Sequence, residues 1–219
     1  MGSESLSFAS DLHKRVPPDW YHASMKRNLF QRFWHNKRFE VVGGVLEPVD
    51  GRVLDVGCAD GMFTRVILEK TGAAEVIGID VLKSSVDWAS KHWRKQKRMK
   101  FRLGNAHKLK YKSDSFSAVT AFEVMEHVGD PGVVVGEIKR VLKRGGYVVI
   151  LVPTDNLLFR LIWWFVTNFW WARIWQDCHI QSFDSRNTLG KFLSKSGFKV
   201  EVDKKFLLGM LNVVKARKK

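Results

Sequence analysis

The chain has 219 residues, of which 45% are hydrophobic and 27% charged, so it is long enough for one buried core and too short for two ordinary domains. Its 37 lysines and arginines exceed its 22 aspartates and glutamates, and the formal charge of +15 favours anionic partners such as nucleic acid or a lipid surface. Two cysteines exclude a disulfide framework, and the polar N-terminus lacks the apolar core of a secretory signal. These features predict a single globular domain kept in the cytoplasm.

The first 48 residues are predicted to form a helical cap ahead of the sheet. A polar lead-in ends at Pro17 and Pro18, and aromatic residues then alternate with basic ones from Trp20 to Phe39. Spacings of three and four among the apolar residues predict one or two amphipathic helices. Such helices would either cap the core or also cover an active site, and the sequence favours neither role.

The stretch RVLDVGCADGMFTRV, residues 52–66, predicts a strand that turns sharply into a helix. Its apolar run breaks at Gly57 and Gly61, and helical spacing resumes near Met62. Glycine lets the main chain approach a ligand closely, and a helix N-terminus presents unpaired N–H groups and a partial positive charge. Asp55 suits a cationic or hydrogen-bond-donating group, and the Lys-Ser or Lys-Thr pair of a phosphate-binding loop is absent. We therefore expect a nucleotide-like ligand at this turn.

Alternating short strands and helices follow the loop and predict an α/β fold with a parallel sheet and helices on both faces. Strands are predicted at 76–79, 101–103, 118–122 and 147–152, and helices at 84–93 and 131–142. Ligands of such sheets bind at the carboxyl ends of the strands, where Asp80, Asn105 and Glu123 stand. Asp80 follows the loop at about the separation at which a carboxylate accepts hydrogen bonds from two ribose hydroxyls.

The chain resembles the class I S-adenosylmethionine-dependent methyltransferases in segments that occur in the expected order: LDVGCADG, GIDV, GNA, SDSFSAV, EVMEHVGDP, EIKRVLKRGG and VVILVP. The resemblance runs from Gly51 to Pro153 and again from His179 to Val200. It implies S-adenosylmethionine as the cofactor and a Rossmann-like, seven-stranded, mostly parallel sheet. The last strand, within 207–216, would be antiparallel and would pair with a strand at 198–202.

The resemblance also implies which residues contact the cofactor. Ala59 stands where the family usually has glycine, and Asn105 stands where it usually has aspartate, so an acceptor for the adenine amino group is kept and a charge is lost. The expected contacts are Asp55, Gly57, Cys58, Ala59 and Gly61 around the methionine moiety and ribose, Asp80 on the ribose hydroxyls, Val81, Asn105 and Ala106 around the adenine, and Phe122 and Glu123 as the floor of the site.

Methyl transfer from a sulfonium is an in-line displacement that depends on holding the nucleophile against the methyl group, so a dedicated base is optional. For a hydroxyl acceptor, the candidate catalytic residues are Glu126, His127 and His179, with Glu123 as a further candidate. The same four side chains would suit a divalent metal, an arrangement similar to that of ubiquinone-pathway O-methyltransferases and small-RNA 2′-O-methyltransferases. Segments like EVMEHV recur in the superfamily without metal, so a metal is not favoured.

The segment LLFRLIWWFVTNFWWARIW, residues 157–175 and here called the aromatic segment, holds five of the nine tryptophans. Arg160, Asn168 and Arg173 interrupt it, so it is not expected to span a membrane. It suits either a helix in the headgroup region of a membrane or a lid over the substrate. The predicted divisions of the single domain are a cofactor-binding core at 49–153, this lid or membrane contact at 154–182, and the rest of the core at 183–219.

The sequence therefore predicts a methyltransferase that acts on a hydrophobic or lipid-linked small molecule at a membrane surface, in a peripheral position at the inner face of the membrane. The first alternative is an RNA methyltransferase, which the net charge favours and the aromatic segment does not explain. The basic run from Lys91 to Arg102 would suit a phosphate backbone or anionic lipid, but its place at a helix end near the sheet edge favours a solvated face. The second alternative is a non-catalytic relative that binds the cofactor or a membrane. Its only support is the changed residues Ala59 and Asn105.

Overall fold

A seven-stranded sheet in the order β3-β2-β1-β4-β5-β7-β6 forms the centre of the protein in a computed structural model. The structure describes residues 17–27, 29–154, 156–158, 160–161, 164 and 188–219, so His179, Cys178 and most of the aromatic segment lie outside the described residues. The strands are β1 (Arg52–Val56), β2 (Glu75–Asp80), β3 (Met99–Leu103), β4 (Phe116–Phe122), β5 (Leu142–Pro153), β6 (Phe198–Phe206) and β7 (Leu211–Lys218).

The direction of the strands follows the predicted pattern. The pairs β1–β2, β1–β4, β2–β3 and β4–β5 are parallel. Only β7 runs the other way, because it pairs antiparallel with both β5 and β6. The predicted Rossmann-like sheet with an antiparallel last strand is therefore confirmed. The carboxyl ends of β1, β2, β3 and β4 lie next to one another at one edge of the sheet.

Helices cover both faces of the sheet, and a separate cluster of buried hydrophobic residues lies on each face. Successive residues of β5 show the two faces, because Val148 and Ile150 belong to one cluster while Val149 and Leu151 belong to the other. This alternation explains why a strand buried on both sides is apolar without interruption. The helices whose bounds the structure describes are α1 (Trp20–Arg27), α2 (Leu29–Val45), α3 (Met62–Thr71), α4 (Lys83–His92), α5 (Pro131–Val141) and α6 (Leu189–Lys195).

Several element boundaries differ from the sequence-based prediction, including the start of β5 and the end of β6. Leu142 was assigned to the end of a helix by its apolar spacing, but it pairs with Phe116 and begins β5. The next four residues, 143–146, interrupt the register before pairing resumes at Tyr147, and Gly145 has the left-handed φ of 73° that such an irregularity favours. Strand β6 extends to Phe206, so residues 207–210 form the turn into β7 instead of its beginning.

Strand β3 lies at one edge of the sheet, and the basic run falls at the end of α4 and along this strand, as predicted. Among the helices that the structure describes, none is both long and apolar enough to cross a bilayer.

Candidate active site

Backbone hydrogen bonds anchor the loop between β1 and α3, residues 57–61, to the end of β2. The N–H groups of Gly57 and Cys58 both donate to the carbonyl oxygen of Ile79, at 2.8 and 3.0 Å. The N–H of Ala59 donates to Oδ2 of Asp80 at 3.0 Å. The glycine loop and the carboxylate that follows β2 were both predicted as cofactor contacts, and the structure brings them together directly.

Alternate residues of this loop have left-handed backbone conformations, with φ of 72° at Gly57, 44° at Ala59 and 79° at Gly61. A Cβ atom built on Gly57 would lie 2.2 Å from Cγ2 of Val124, and one on Gly61 would lie 2.7 Å from atoms of Phe101 and Trp93. Both glycines are therefore required by conformation and by close packing. Ala59 adopts the same type of conformation with a Cβ, which is unfavourable for an L-residue.

Asp80 ends β2 with its carboxylate turned toward the loop. Besides the bond from Ala59, its Oδ1 accepts a hydrogen bond from the N–H of Leu82 at 2.9 Å. Both carboxylate oxygens of Asp80 therefore accept hydrogen bonds from main-chain N–H groups of the neighbouring loops. Val81 is half-buried beside it, as a residue that packs on an adenine would be.

Asp55 is 1% exposed and lies beneath the loop. Its Oδ2 accepts a hydrogen bond from the hydroxyl of Thr64 at 2.6 Å, and its Oδ1 accepts one from Thr120 at 2.8 Å. Burial raises the pKa of Asp55 to about 6, although the two hydroxyls oppose this shift. The side chain therefore braces β1 against α3 and β4, which differs from the direct ligand contact that the sequence predicted.

The remaining predicted cofactor contacts lie at the ends of the neighbouring strands. After β3, Oδ1 of Asn105 accepts a hydrogen bond from the N–H of His107 at 2.9 Å, and Ala106 is buried. At the end of β4, the ring of Phe122 packs on Phe63 with 5.0 Å between centroids. Cys58 is also buried, which raises the pKa of its thiol and makes it a poor nucleophile.

Two helices that precede the sheet contact Glu123, which follows β4 with a left-handed φ of 56°. The guanidinium of Arg38, from α2, is buried and forms an ion pair with Oε2 of Glu123. The hydroxyl of Tyr21, from α1, donates to the same oxygen at 3.0 Å. Sequence reasoning missed Tyr21 and Arg38, because nothing in the alternation of aromatic and basic residues distinguishes these two from their neighbours.

The proposed acid–base residues have different environments. Burial, and then the nearby charge of Glu123, raises the pKa of Glu126 well above its ordinary value. Its Oε2 has no hydrogen-bond partner among the described residues. His127 is half-buried in the same loop, and His179 lies outside the part of the chain that the structure describes. No group of three or more metal-ligating side chains occurs among the described residues.

Comparison with known proteins identifies the domain that contains the glycine loop. Residues 54–150 match the family model of a methyltransferase domain, and this range contains the glycine loop, Asp80 and Glu123. Residues 54–150 form a class I S-adenosylmethionine-dependent methyltransferase domain.

Curated relatives of this methyltransferase domain match part of their length. A methyltransferase of Schizosaccharomyces pombe is 36% identical over 105 residues, which cover 44% of this chain and 38% of the relative. The ubiquinone biosynthesis O-methyltransferase of Xanthomonas axonopodis pv. citri is 34% identical over 111 residues, which cover 50% and 46%. The mitochondrial ubiquinone biosynthesis O-methyltransferase of Candida albicans is 30% identical over 150 residues, which cover 67% and 43%. The chain thus spans about half or less of these relatives.

Solved structures extend the likeness in fold to almost the whole chain. One chain of the Haloferax volcanii complex that contains the Trm112 methyltransferase activator superposes with a TM-score of 0.72 at 16% identity, over 93% of this chain and 97% of that one. Geranyl diphosphate C-methyltransferase from Streptomyces coelicolor gives 0.68 at 14% identity, over 94% and 89%. The [4+2]-cyclase SpnF gives 0.69 at 18%, over 88% and 83%. At these identities the likeness establishes the fold alone, as the cyclase illustrates.

The residues at the strand ends fit S-adenosylmethionine. The ligand offers ribose hydroxyls, an ammonium group and a carboxylate, and the site offers acceptors at Asp80 and Glu123 and a cation at Arg38. The Nε atom of Arg38 is buried and has no hydrogen-bond partner among the described residues, so a donor is available for an anionic group. The glycine loop provides the close backbone approach.

Proposed function

We propose that the protein transfers a methyl group from S-adenosylmethionine to a hydrophobic or lipid-linked small molecule at a membrane surface. The observation that best supports the transfer is the hydrogen bond between Ala59 and Asp80, which joins the glycine loop to the carboxylate at the end of β2. When bound, S-adenosylmethionine supplies a methyl group activated by its sulfonium. The chain supplies position, which accounts for much of the acceleration of an in-line displacement.

Each residue then has a defined task. Asp80 accepts hydrogen bonds from the ribose hydroxyls, Glu123 accepts from the ammonium group, and Arg38 donates to the carboxylate. Of the acid–base candidates, His127 is half-buried in the loop after β4 and is suited to accept a proton from a hydroxyl acceptor. Glu126, whose pKa is raised by burial, stays a candidate proton donor to a polar group of the acceptor. His179 stays a candidate base.

A thermal-shift measurement with S-adenosylmethionine tests the cofactor assignment. At 100 times its dissociation constant, a ligand stabilises a protein by about 2.7 kcal/mol, which corresponds to roughly 5–10 °C in a chain of this size. Asp80→Asn should reduce the shift, whereas the matched variant Asp87→Asn, on the exposed surface of α4, should retain it. Absence of a shift in the wild type would contradict the proposal. A shift without methyl transfer to lipid, RNA or protein fractions of a cell extract would favour the non-catalytic alternative.

The substrate class is inferred from the relatives and from the surface around the site. Two of the relatives above are by name ubiquinone biosynthesis O-methyltransferases, and a ubiquinone precursor is a hydrophobic acceptor. Strand β5 ends at Pro153, at the same edge of the sheet as the glycine loop, and the aromatic segment begins four residues later in the sequence. The first described residues of that segment, Leu157, Leu161 and Trp164, are exposed.

Further exposed apolar side chains near this edge support contact with a membrane. Leu29 and Phe30, on the first turn of α2, are 83% and 69% exposed, and Phe33 follows one turn later at 59%. Leu208, in the turn between β6 and β7, is 82% exposed, and its carbonyl oxygen accepts a hydrogen bond from Asn156 just before the aromatic segment. Basic residues Arg27 and Arg32 flank the apolar ones on α1 and α2 and complement an anionic headgroup region.

Sedimentation with vesicles tests the membrane part of the proposal independently of catalysis. The wild type should bind vesicles that contain anionic lipid, and Phe30→Ser/Phe33→Ser should lower the partition coefficient by about tenfold or more. The matched control is Val133→Ser, which changes an exposed apolar residue on the opposite layer, at the start of α5. No binding by the wild type, or equal loss in the control, would contradict a membrane-docking role for α2.

RNA methylation is the second candidate, because one specific surface favours it. Exposed lysines and arginines continue from the end of α4 along the edge strand β3, and their spacing would suit a phosphate backbone. Retention of RNA that falls steeply as the salt concentration rises, together with labelled methyl groups in the RNA fraction of an extract, would promote this candidate. These basic residues are Lys91, Arg94, Lys95, Lys97, Arg98, Lys100 and Arg102.

A further inference from the structure

A third carboxylate near the glycine loop, that of Asp60, contacts the cap helix α1. Its side chain is 0% exposed. Oδ2 accepts a hydrogen bond from the N–H of His22 at 2.8 Å, and Oδ1 accepts one from the N–H of Met62 at 3.1 Å. Asp60 therefore joins the first turn of α1 to the first residue of α3.

This contact resembles a helix cap supplied from a distant part of the chain. The N–H groups in the first turn of a helix have no partner within the helix, and negative charge at that end is favourable. Helix α1 has no acidic residue in its own first turn. Asp60, 38 positions further along the chain than His22, accepts from the N–H of His22 in this turn.

The backbone of Asp60 is fixed from another side as well. Its carbonyl oxygen accepts a hydrogen bond from Nε1 of Trp93 at 2.8 Å, and the ring of Trp93 packs on the neighbouring Gly61. The ring of His22 contacts that of His92, at the end of α4, with 4.7 Å between centroids. Asp60 thus lies where α1, α3 and the end of α4 meet.

We infer that Asp60 is a positioning residue that couples the docking of α1 to the conformation of the cofactor loop. Tyr21 makes the coupling specific, because it adjoins His22, whose N–H donates to Asp60, while its own hydroxyl donates to Glu123. Helix α1 therefore bridges the glycine loop and the end of β4, and it helps to hold Glu123 and Arg38 at the site. This inference rests on the proposed function, since the loop concerned is the proposed cofactor loop. By linkage, cofactor binding and α1 docking must strengthen each other by the same factor.

Hydrogen exchange and calorimetric titration with S-adenosylmethionine test the coupling. Asp60→Asn keeps one acceptor oxygen and turns an NH₂ group toward a backbone N–H. The variant should speed exchange in residues 20–27 and weaken cofactor affinity, each by about tenfold, because a hydrogen bond to a charged group is lost. At saturating cofactor, kcat should change by less than about twofold, so the effect appears in KM. In the wild type, the cofactor should slow exchange in the same residues.

The matched control is Asp130→Asn. Asp130 caps α5 through the same kind of contact, accepting from the N–H groups of Gly132 and Val133 at 2.9 and 3.1 Å. This control should speed exchange at the start of α5 and leave cofactor affinity and α1 unchanged. A second variant, His22→Pro, removes the N–H donor and keeps the sequence of the glycine loop intact. Proline is tolerated in the first turn of a helix. His22→Ala controls for the ring, and only the proline variant should reproduce the loss of affinity.

The outcomes separate this inference from the proposed function. A wild type that binds cofactor, with Asp60→Asn and His22→Pro that bind it equally well, would overturn the coupling and leave the proposed function in place. A wild type that binds no cofactor would remove the proposed function. With either wild-type result, unchanged hydrogen exchange of α1 in Asp60→Asn would refute the docking role of the carboxylate.

Discussion

Replacing Ala59 with glycine should stabilise the protein. Ala59 has a φ of 44°, a left-handed conformation that glycine adopts freely and that alanine adopts at a cost. Its N–H donates to Asp80, and glycine keeps that N–H. The substitution therefore removes strain without removing a hydrogen bond.

The size of the effect is a difference between two opposing contributions. A left-handed conformation costs an L-residue about 1–2 kcal/mol. Glycine makes the unfolded chain more flexible than alanine does, which returns about 0.4–1 kcal/mol. The free energy of unfolding should therefore rise by about 0.5–1 kcal/mol, equivalent to roughly 1–4 °C in the melting temperature of a chain of this length.

Thermal and urea unfolding of wild type and Ala59→Gly measure this effect, with Ala74→Gly as the matched control. Ala74 is exposed in the turn before β2 and has a negative φ, so glycine there should lower the free energy of unfolding by about 0.4–1 kcal/mol. The two alanine-to-glycine changes should thus have opposite signs. A loss of stability in both variants would refute the assignment of strain to Ala59.

Three further predictions concern the same site. Gly57→Ala should lower the free energy of unfolding by more than about 2 kcal/mol, because its Cβ would meet Val124 at 2.2 Å and its φ of 72° is unfavourable for alanine. Adding Val124→Ala should recover the loss due to the clash and leave the loss due to φ. The pKa of Asp55 is raised from 3.8 to about 6, so its contribution to stability is fully present below pH about 4 and is lost as the pH rises through 6. In a pH series of unfolding curves, the wild type should therefore lose about 3 kcal/mol across this window relative to Asp55→Asn. Parallel pH dependences of the two proteins would contradict the shift. Glu123→Ala should lower the free energy of unfolding by about 3 kcal/mol, because it leaves the buried Arg38 without its ion-pair partner. Adding Arg38→Met to this variant should recover much of the lost stability. Additive losses in the double-mutant cycle would exclude coupling between the two residues.

Hydrophobic periodicity was enough to predict β1 to β5 and most of the helices, because β1, β2, β4 and β5 are buried on both faces. The pairing of β6 with an antiparallel β7 was predicted from the family resemblance. The glycine loop and Asp80 were also predictable, since a tight turn and a carboxylate at a strand end are local features. Asp55 shows where this reasoning fails. Its position before the loop suggests a ligand contact, but its environment depends on Thr64 and Thr120, which reach it from α3 and β4.

The contacts of the cap helices could not be predicted for a related reason. Arg38 and Glu123 are 85 positions apart, and Tyr21 and Glu123 are 102 positions apart. Within the sequence, Arg38 is one of many basic residues between aromatic ones. Only the folded chain shows that its guanidinium is buried while most other cations are solvated. Long-range polar contacts of this kind have no periodic signal, and a single sequence offers no other.

The loop tolerates a strained alanine because its surroundings determine its conformation from several directions. Ile79 accepts from two of its N–H groups, Asp80 accepts from a third, and the N–H of Gly61 closes the turn onto the carbonyl oxygen of Cys58 at 2.9 Å. Unfavourable backbone conformations persist only where neighbouring contacts leave no alternative. Alanine in place of glycine at position 59 should therefore affect the stability of the protein and leave the cofactor loop in place. The hydrogen bonds that shape the loop come from its backbone and are unaffected by the extra methyl group.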